Sequence, residues 1–210
     1  MPMTLPAFLI PLFLIITAAC ADEPMAKMEP MLEGLEEIMV AGGCFWCVEA
    51  DLEKVSGVTD VISGYGGGTN TSPTYQNYDD YGHREVALVR YDPRMISFEK
   101  LAALFLRTID VTDNDGQFCD RGHAYSPALY YDNAEQRAIL EAVVKAGEEA
   151  IDREITLPID PAPEFFPAED YHQDYYKKNS GRYAVYRNLC GRDRIVRGVW
   201  GQSARELIGY

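Results

Sequence analysis

Gly42-Gly43-Cys44-Phe45-Trp46-Cys47-Val48-Glu49 is the stretch from which the rest of the chain can be read. A short apolar run, Ile38-Met39-Val40-Ala41, precedes it, and a helical-looking stretch to Val55 follows. A strand, a glycine turn and a helix place the side chain after the turn at a helix N-terminus. There the unpaired backbone N–H groups and the positive end of the helix dipole favour an anion. A thiol in that position ionises more easily, with values of roughly 3.5–7.5 known for such sites against about 8.5 for a free cysteine. Cys44 therefore reads as a nucleophile flanked by two aromatic rings, with a second thiol, Cys47, one helical turn on.

Upstream, Met1 to Ala21 contains no charged side chain, and Leu5 to Ala19 is almost wholly apolar. That run is too short for a comfortable membrane span, which needs about 20 residues. It reads as a secretory signal. Ala19-x-Ala21 suits cleavage after Ala21 and a soluble exported protein. Thr17-Ala18-Ala19-Cys20 instead resembles a bacterial lipoprotein box, which would leave Cys20 lipidated and the protein tethered to a membrane. The expected location is thus the periplasm or cell envelope. Residues 22–34 are polar and punctuated by Pro24 and Pro30, a linker composition. Residues 35–210 suit a single domain with a sizeable core.

The formal charge is −14, from 19 basic and 33 acidic side chains. No basic patch is available to neutralise phosphates, so nucleic-acid binding is excluded. Of the five cysteines, Cys44, Cys47, Cys119 and Cys190 lie beyond the leader. In an exported protein of this length they suggest structural bridges or redox chemistry.

The pattern continues with a strand over Val58 to Ser63, ended by Gly64-Tyr65-Gly66-Gly67-Gly68, and a long aperiodic loop from Gly66 to Gly82. A loop of that length in a compact domain is usually functional. Arg84 to Tyr91 alternates as a strand ending at Asp92-Pro93. Ser97 caps a helix carrying Leu101, Leu104 and Phe105, and Thr112 to Ser126 is irregular. Ala128 to Tyr131 is a short strand, Asn133 caps a helix to Ile151, and Ile155 to Ile159 suits an edge strand, where Pro158 is tolerated. Phe165 to Gln173 suggests a turn into a short aromatic helix. After Gly181 the weakly patterned basic chain predicts a long irregular tail wrapping the surface. The order β-α-β-β-α-β-α-β suits an α+β sandwich on a mainly antiparallel sheet, of the ferredoxin-like sort.

Cys44-x-x-Cys47 has three readings. As a thiol–disulfide pair, the spacing brings both sulfurs to one face of the helix start. As half a zinc site it would need a second Cys/His pair, and Cys119, Cys190 and the three histidines are scattered. As core thiols the two would be small hydrophobes. Cys119 reads as a structural thiol, and His83, His123 and His172 as hydrogen-bonding scaffold with no metal role.

Gly43-Cys44-Phe45-Trp46, Pro73-Thr74-Tyr75, Gly82-His83-Arg84-Glu85 and Asp120-Arg121-Gly122-His123-Ala124-Tyr125 occur in the order seen in A-type peptide methionine sulfoxide reductases, and the chain resembles that family from Glu37 to Lys178. The resemblance implies that Cys44 attacks the sulfoxide sulfur and that Phe45 and Trp46 wall the substrate methyl group. It implies that Tyr75, Glu85 and Tyr125 hydrogen-bond the sulfoxide oxygen, with Glu85 as proton donor and Asp120 in support. It points to the S-epimer, to a reaction without a bound cofactor, and to a monomer. The chemistry is coherent: a leaving oxygen must be protonated, and a carboxylic acid can do so near neutrality only if an apolar site raises its pKa.

Many members carry Gly at the position of Cys47 and keep recycling cysteines in a glycine-rich tail, where this chain has Cys190 alone. A sulfenic acid on Cys44 condenses with a nearby thiol. The expected disulfide joins Cys44 to Cys47 or to Cys190, for reduction by a thioredoxin-like protein. Two other readings stay open: a thioredoxin-like disulfide exchanger using Cys44 and Cys47, and a non-enzymatic zinc-binding module.

Overall fold

Ile38, Met39, Val40 and Ala41 are all buried, because the strand that carries them is covered on both faces. In the computed structural model, which describes residues 24–201, this is β1 (Glu36–Ala41). The chain continues through α1 (Phe45–Leu52) and β2 (Val58–Gly66), then β3 (Arg84–Tyr91) and α2 (Phe98–Leu106). A two-residue hairpin follows, β4 (Gly116–Gln117) with β5 (Asp120–Arg121), then β6 (Ala128–Tyr131) and α3 (Ala134–Ile151). The last elements are β7 (Ile159–Pro161), β8 (Phe165–Pro167), α4 (Tyr175–Lys178), α5 (Ser180–Leu189) and α6 (Arg192–Trp200). The fold is α+β.

The main sheet runs β7-β6-β1-β3-β2-β8. Every pairing is antiparallel except β6 with β7. On one face Ile38, Val40, Val61, Val89 and Leu129 pack against Val48 and Leu52 of α1, Leu101 and Phe105 of α2, and Leu140 and Val143 of α3. Met39, Ala41, Ile62, Val86 and Leu88 form a smaller cluster on the other face. The caps read from sequence are in place: Ser97 Oγ accepts from the Lys100 N–H at 3.2 Å, and Asn133 Oδ1 from the Gln136 N–H at 3.0 Å.

Four expectations need correction. The second strand continues through Gly64 to Gly66, because β8 docks on it; a Cβ at Gly64 would lie 2.5 Å from the Phe166 carbonyl oxygen, so glycine is what lets the edge strand approach. The edge strand begins at Ile159, while Ile155 and Leu157 are simply buried against α3. Within the expected linker, Met25 bridges to Glu169 and the Ala26 N–H donates to the Ala168 carbonyl at 3.0 Å, so the segment lies along the domain. The expected leader, with Cys20, lies outside the described residues; among those described, no helix is long and apolar enough to cross a membrane.

The fourth correction concerns the tail, which is helical. On α5 the inward side chains are Tyr183 and Arg187, aromatic and cationic, so no apolar stripe marks that helix. On α6 Ile195, Val196, Val199 and Trp200 do recur at helical spacing, on a face that begins with the buried Arg192. Arg187 Nη1 and Arg192 Nε reach opposite oxygens of the buried Asp51 on α1, at 2.9 and 3.5 Å. Trp200 Nε1 donates to the Ile109 carbonyl at 3.1 Å.

A disulfide between Cys119 and Cys190, 71 residues apart, ties the end of α5 to the hairpin. A loop of that length corresponds to roughly 4 kcal/mol in the chain-entropy account, with about 0–5 observed in practice. Cys119→Ser should therefore lower the urea midpoint by an amount equivalent to about 2–4 kcal/mol. Tryptophan fluorescence melts check this, and an unchanged midpoint would mean that the bridge carries no stability.

Candidate active site

Cys44 is the N-cap of α1, and its carbonyl accepts from the Cys47 and Val48 N–H groups at 3.0 and 3.3 Å. The turn before it needs glycine: Gly43 has φ +79°, and a Cβ there would fall 2.5 Å from Cβ of Gln117. Gln117 in turn accepts from the Asp110 N–H at 2.9 Å and donates to the Asp110 and Asp113 carbonyls, each at 2.9 Å. The nucleophile turn and the loop leading to Asp120 are thereby locked together.

Glu85, on the central strand β3, is buried beneath this turn. Its Oε2 accepts the Phe45 N–H at 2.8 Å and its Oε1 faces the Tyr78 hydroxyl at 3.1 Å. The Tyr78 hydroxyl also lies 3.1 Å from that of Tyr125. Burial raises the Glu85 carboxyl to about 8, against the Phe45 and Tyr78 hydrogen bonds that pull it down. Because Oε2 faces an N–H donor, the acidic proton belongs on Oε1, aimed at the two phenols. Glu85 is thus a carboxylic acid at neutral pH, able to deliver a proton beside Cys44.

The thiols depart from the sequence expectation. Burial outweighs the helix N-terminus and pushes Cys44 well above the usual thiol range, with Cys47 and Glu85 adding to the effect. Cys47 is the one drawn down, to about 7, by a hydrogen bond from Cys44 and by the positive charge of Arg192. The charge comes from the helical tail that the sequence pattern concealed.

Trp46 stacks on Tyr175 at 3.7 Å and donates its indole N–H to Nδ1 of His172 at 3.0 Å. That bond puts the imidazole proton on Nε2, and burial lowers His172 to about 4, so the ring is neutral. Phe45, fully buried, packs on Tyr65 and Tyr78 beneath the site. Tyr75 stands at the rim, 39% exposed, with its ring 4.6 Å from that of His172. Its N–H donates to Glu169 at 2.9 Å, and Glu169 also accepts from the Tyr65 hydroxyl at 2.8 Å. Burial raises the Asp120 carboxyl, and the Tyr186 hydroxyl bonds it.

Cys44, Cys47, Phe45, Trp46, Glu85, Tyr125 and Asp120 therefore converge, with Tyr75 at the edge. Cys190 is bonded to Cys119 rather than free beside Cys44. Among the described residues the same bridge leaves only Cys44 and Cys47 as free thiols for a zinc site, half of the four ligands such a site needs. Sequence reasoning missed Tyr78, which sits one helical turn beyond Tyr75 and takes the bond to Glu85. It also missed Glu49, buried on α1, which accepts from Ser63 Oγ at 3.0 Å and the Asp174 N–H at 2.6 Å and is raised by burial to about 8. Tyr186, Arg187 and Arg192 were hidden in the tail.

The chain as a whole is similar to known proteins. The family description "Peptide methionine sulfoxide reductase" matches residues 36–204. A peptide methionine sulfoxide reductase MsrA 2 of Rhizobium meliloti is 45% identical over 97% of this chain and 96% of its own length. The MsrA of Halalkalibacterium halodurans is 43% identical over 82% of this chain and its whole length. Among solved structures, reduced Mxr1 of Saccharomyces cerevisiae superposes with a TM-score of 0.67 at 28% identity, covering 73% of this chain and 90% of its own. Methionine sulfoxide reductase A of Corynebacterium diphtheriae does so with 0.63 at 30%, covering 71% and 77%. A match over residues 36–204 and 45% identity along nearly the whole of both chains settle the matter: the chain belongs to the peptide methionine sulfoxide reductase family.

Proposed function

We propose that this protein reduces the S-epimer of methionine sulfoxide, free and in proteins, through Cys44. The observation that carries the reading is the Glu85 carboxyl, held protonated by burial against the Phe45 amide and facing Tyr78 and Tyr125. The Cys44 proton passes to Cys47, whose lowered pKa makes it the adjacent base. The Cys44 sulfur attacks the sulfoxide sulfur while Glu85 protonates the departing oxygen. The oxygen departs as hydroxide and bonds to the Cys44 sulfur as the bond between the two sulfurs breaks, leaving a sulfenic acid on Cys44 and free methionine. Cys47 then attacks the Cys44 sulfenic sulfur, water is lost, and a Cys44–Cys47 disulfide forms. Arg192 near Cys47 and the engagement of Cys190 with Cys119 support Cys47 as the resolving thiol.

A thioredoxin-like dithiol protein would return the disulfide to two thiols. All electrons come from thiols, so the proposed cycle calls for no bound cofactor, and we take a monomer as its working unit. The composition of Met1 to Ala21 supports export to the periplasm, either soluble or anchored through Cys20.

The test is single-turnover reduction of racemic methionine sulfoxide by the leaderless protein with Cys44 and Cys47 reduced, using chromatography that resolves the epimers. Consumption of the S-epimer alone, with two thiols lost per methionine formed, is expected. Consumption of neither epimer would discard the reading and favour plain disulfide exchange.

A further inference from the structure

Tyr186 lies on α5, one turn before Cys190, whose N–H donates to the Tyr186 carbonyl at 3.0 Å. The Cys119–Cys190 bridge fixes this turn against the residue next to Asp120. The Tyr186 ring stands edge-on to Trp46, with centroids 6.1 Å apart at 82°. Its hydroxyl meets two groups, the Asp120 carboxyl and the Cys44 sulfur. A phenol has one proton to donate. Which partner receives it depends on where the Asp120 proton is.

We propose that Tyr186 is a further catalytic residue, donating its hydroxyl proton in a hydrogen bond to the Cys44 sulfur when Asp120 is protonated. With Asp120 ionised, the Tyr186 O–H points to the carboxylate. With Asp120 protonated, the carboxyl O–H donates to the phenol oxygen, and the phenol proton turns to Cys44. Burial of Asp120 favours the second arrangement. A hydrogen bond to a charged group is among the stronger kinds, and here it opposes the burial that otherwise holds Cys44 as a thiol. No atom is transferred; the bond stabilises the sulfur as negative charge gathers on it, before attack on the sulfoxide. The bridge gives Tyr186 its place. That role differs from the recycling one the sequence suggested for Cys190.

The proposal rests on Cys44 being the attacking thiol, and the test separates the two. Alkylation of Cys44 by iodoacetamide is followed against pH in a Cys47→Ser background with the Cys119–Cys190 bridge intact, alongside single-turnover sulfoxide reduction in the parent. Tyr186→Phe, which keeps the ring against Trp46, should slow both by about tenfold to a hundredfold at neutral pH, the range expected for one charge-assisted bond. The alkylation profile should shift to higher pH and the KM for sulfoxide should stay unchanged. Asp120→Asn, whose amide can donate to the phenol oxygen, should slow alkylation far less than Tyr186→Phe does. Alkylation of Tyr186→Phe within twofold of the parent overturns the proposal. So does Asp120→Asn slowing as much as Tyr186→Phe, since Asp120 would then act without Tyr186. If the parent itself reduces no sulfoxide, it is the functional reading that fails.

Discussion

Cys44→Ser should form no methionine at all, whereas Cys47→Ser should form one equivalent and then stop. A hydroxyl lacks the soft, readily ionised sulfur that attack on a sulfoxide requires, so the first variant loses the reaction at its first step. The second keeps the nucleophile and the Glu85 acid but loses the thiol that closes the cycle. Its Cys44 should accumulate as a sulfenic acid, trapped by dimedone and read by mass. Steady-state turnover with an external dithiol should fall by about two orders of magnitude, because a thiol held next to its target reacts at an effective concentration far above that of a dissolved one. If Cys47→Ser cycles as fast as the parent, resolution belongs to another thiol and Cys47 is not the base that takes the Cys44 proton either. A trapped sulfenic acid on Cys47 instead of Cys44 would exchange the roles of the pair.

Glu85→Gln should reduce single-turnover rates by about 10²–10⁴-fold, the usual contribution of a positioned acid. The amide retains an oxygen to accept the Phe45 N–H, so the helix start is preserved while the proton is gone. In the parent the acid is present below about 8 and is lost as pH rises through that value. The falling alkaline limb of the rate profile should therefore disappear in the variant. Stability carries the same signature. The folded carboxyl holds its proton more tightly than an ordinary one near 4.5, so its contribution is full below that value and lost as pH rises through about 8. The parent should weaken across that window, and Glu85→Gln should weaken less, with Glu49 supplying the remaining slope. Equal rates for Glu85→Gln and the parent would remove Glu85 from the chemistry.

Much of this was legible because local and tertiary preferences agree. The turn at Gly42-Gly43, the alternation from Arg84 to Tyr91, and the caps at Ser97 and Asn133 each have a short-range cause, and each occurs where the sequence puts it. Cys44, Glu85, Tyr125 and Asp120, which the motifs single out, are brought to one place by the fold. What failed to show had causes distant in sequence. Gly64 looks like a strand breaker until β8 arrives about a hundred residues later to need the space. Tyr78 looks like any loop tyrosine, because its bond to Glu85 depends on how the loop folds back. In the tail α5 defeats pattern reading, since an inner face of tyrosine and arginine carries no hydrophobic period, whereas the period of α6 from Ile195 to Trp200 is present but short and interrupted by charges. The thiol pKa order was misjudged for a related reason, since the desolvation of Cys44 and the cation beside Cys47 both come from packing that the local motif does not encode.

Asp51 sits inside the domain on the helix that starts at Cys44, and its charge is met by two arginines from the far end of the chain. To peel the terminal helices away would leave that carboxylate buried without its cations, a loss of about 3–5 kcal/mol for a broken internal pair. The tail is therefore fastened to the catalytic helix from within, and is no lid that frays while the rest stays folded. Opening at the C-terminus and loosening of the nucleophile become a single cooperative event. The tuned thiol pair accordingly exists only once α5 and α6 have docked, so the reactivity of the Cys44 motif belongs to the assembled domain and not to its local sequence.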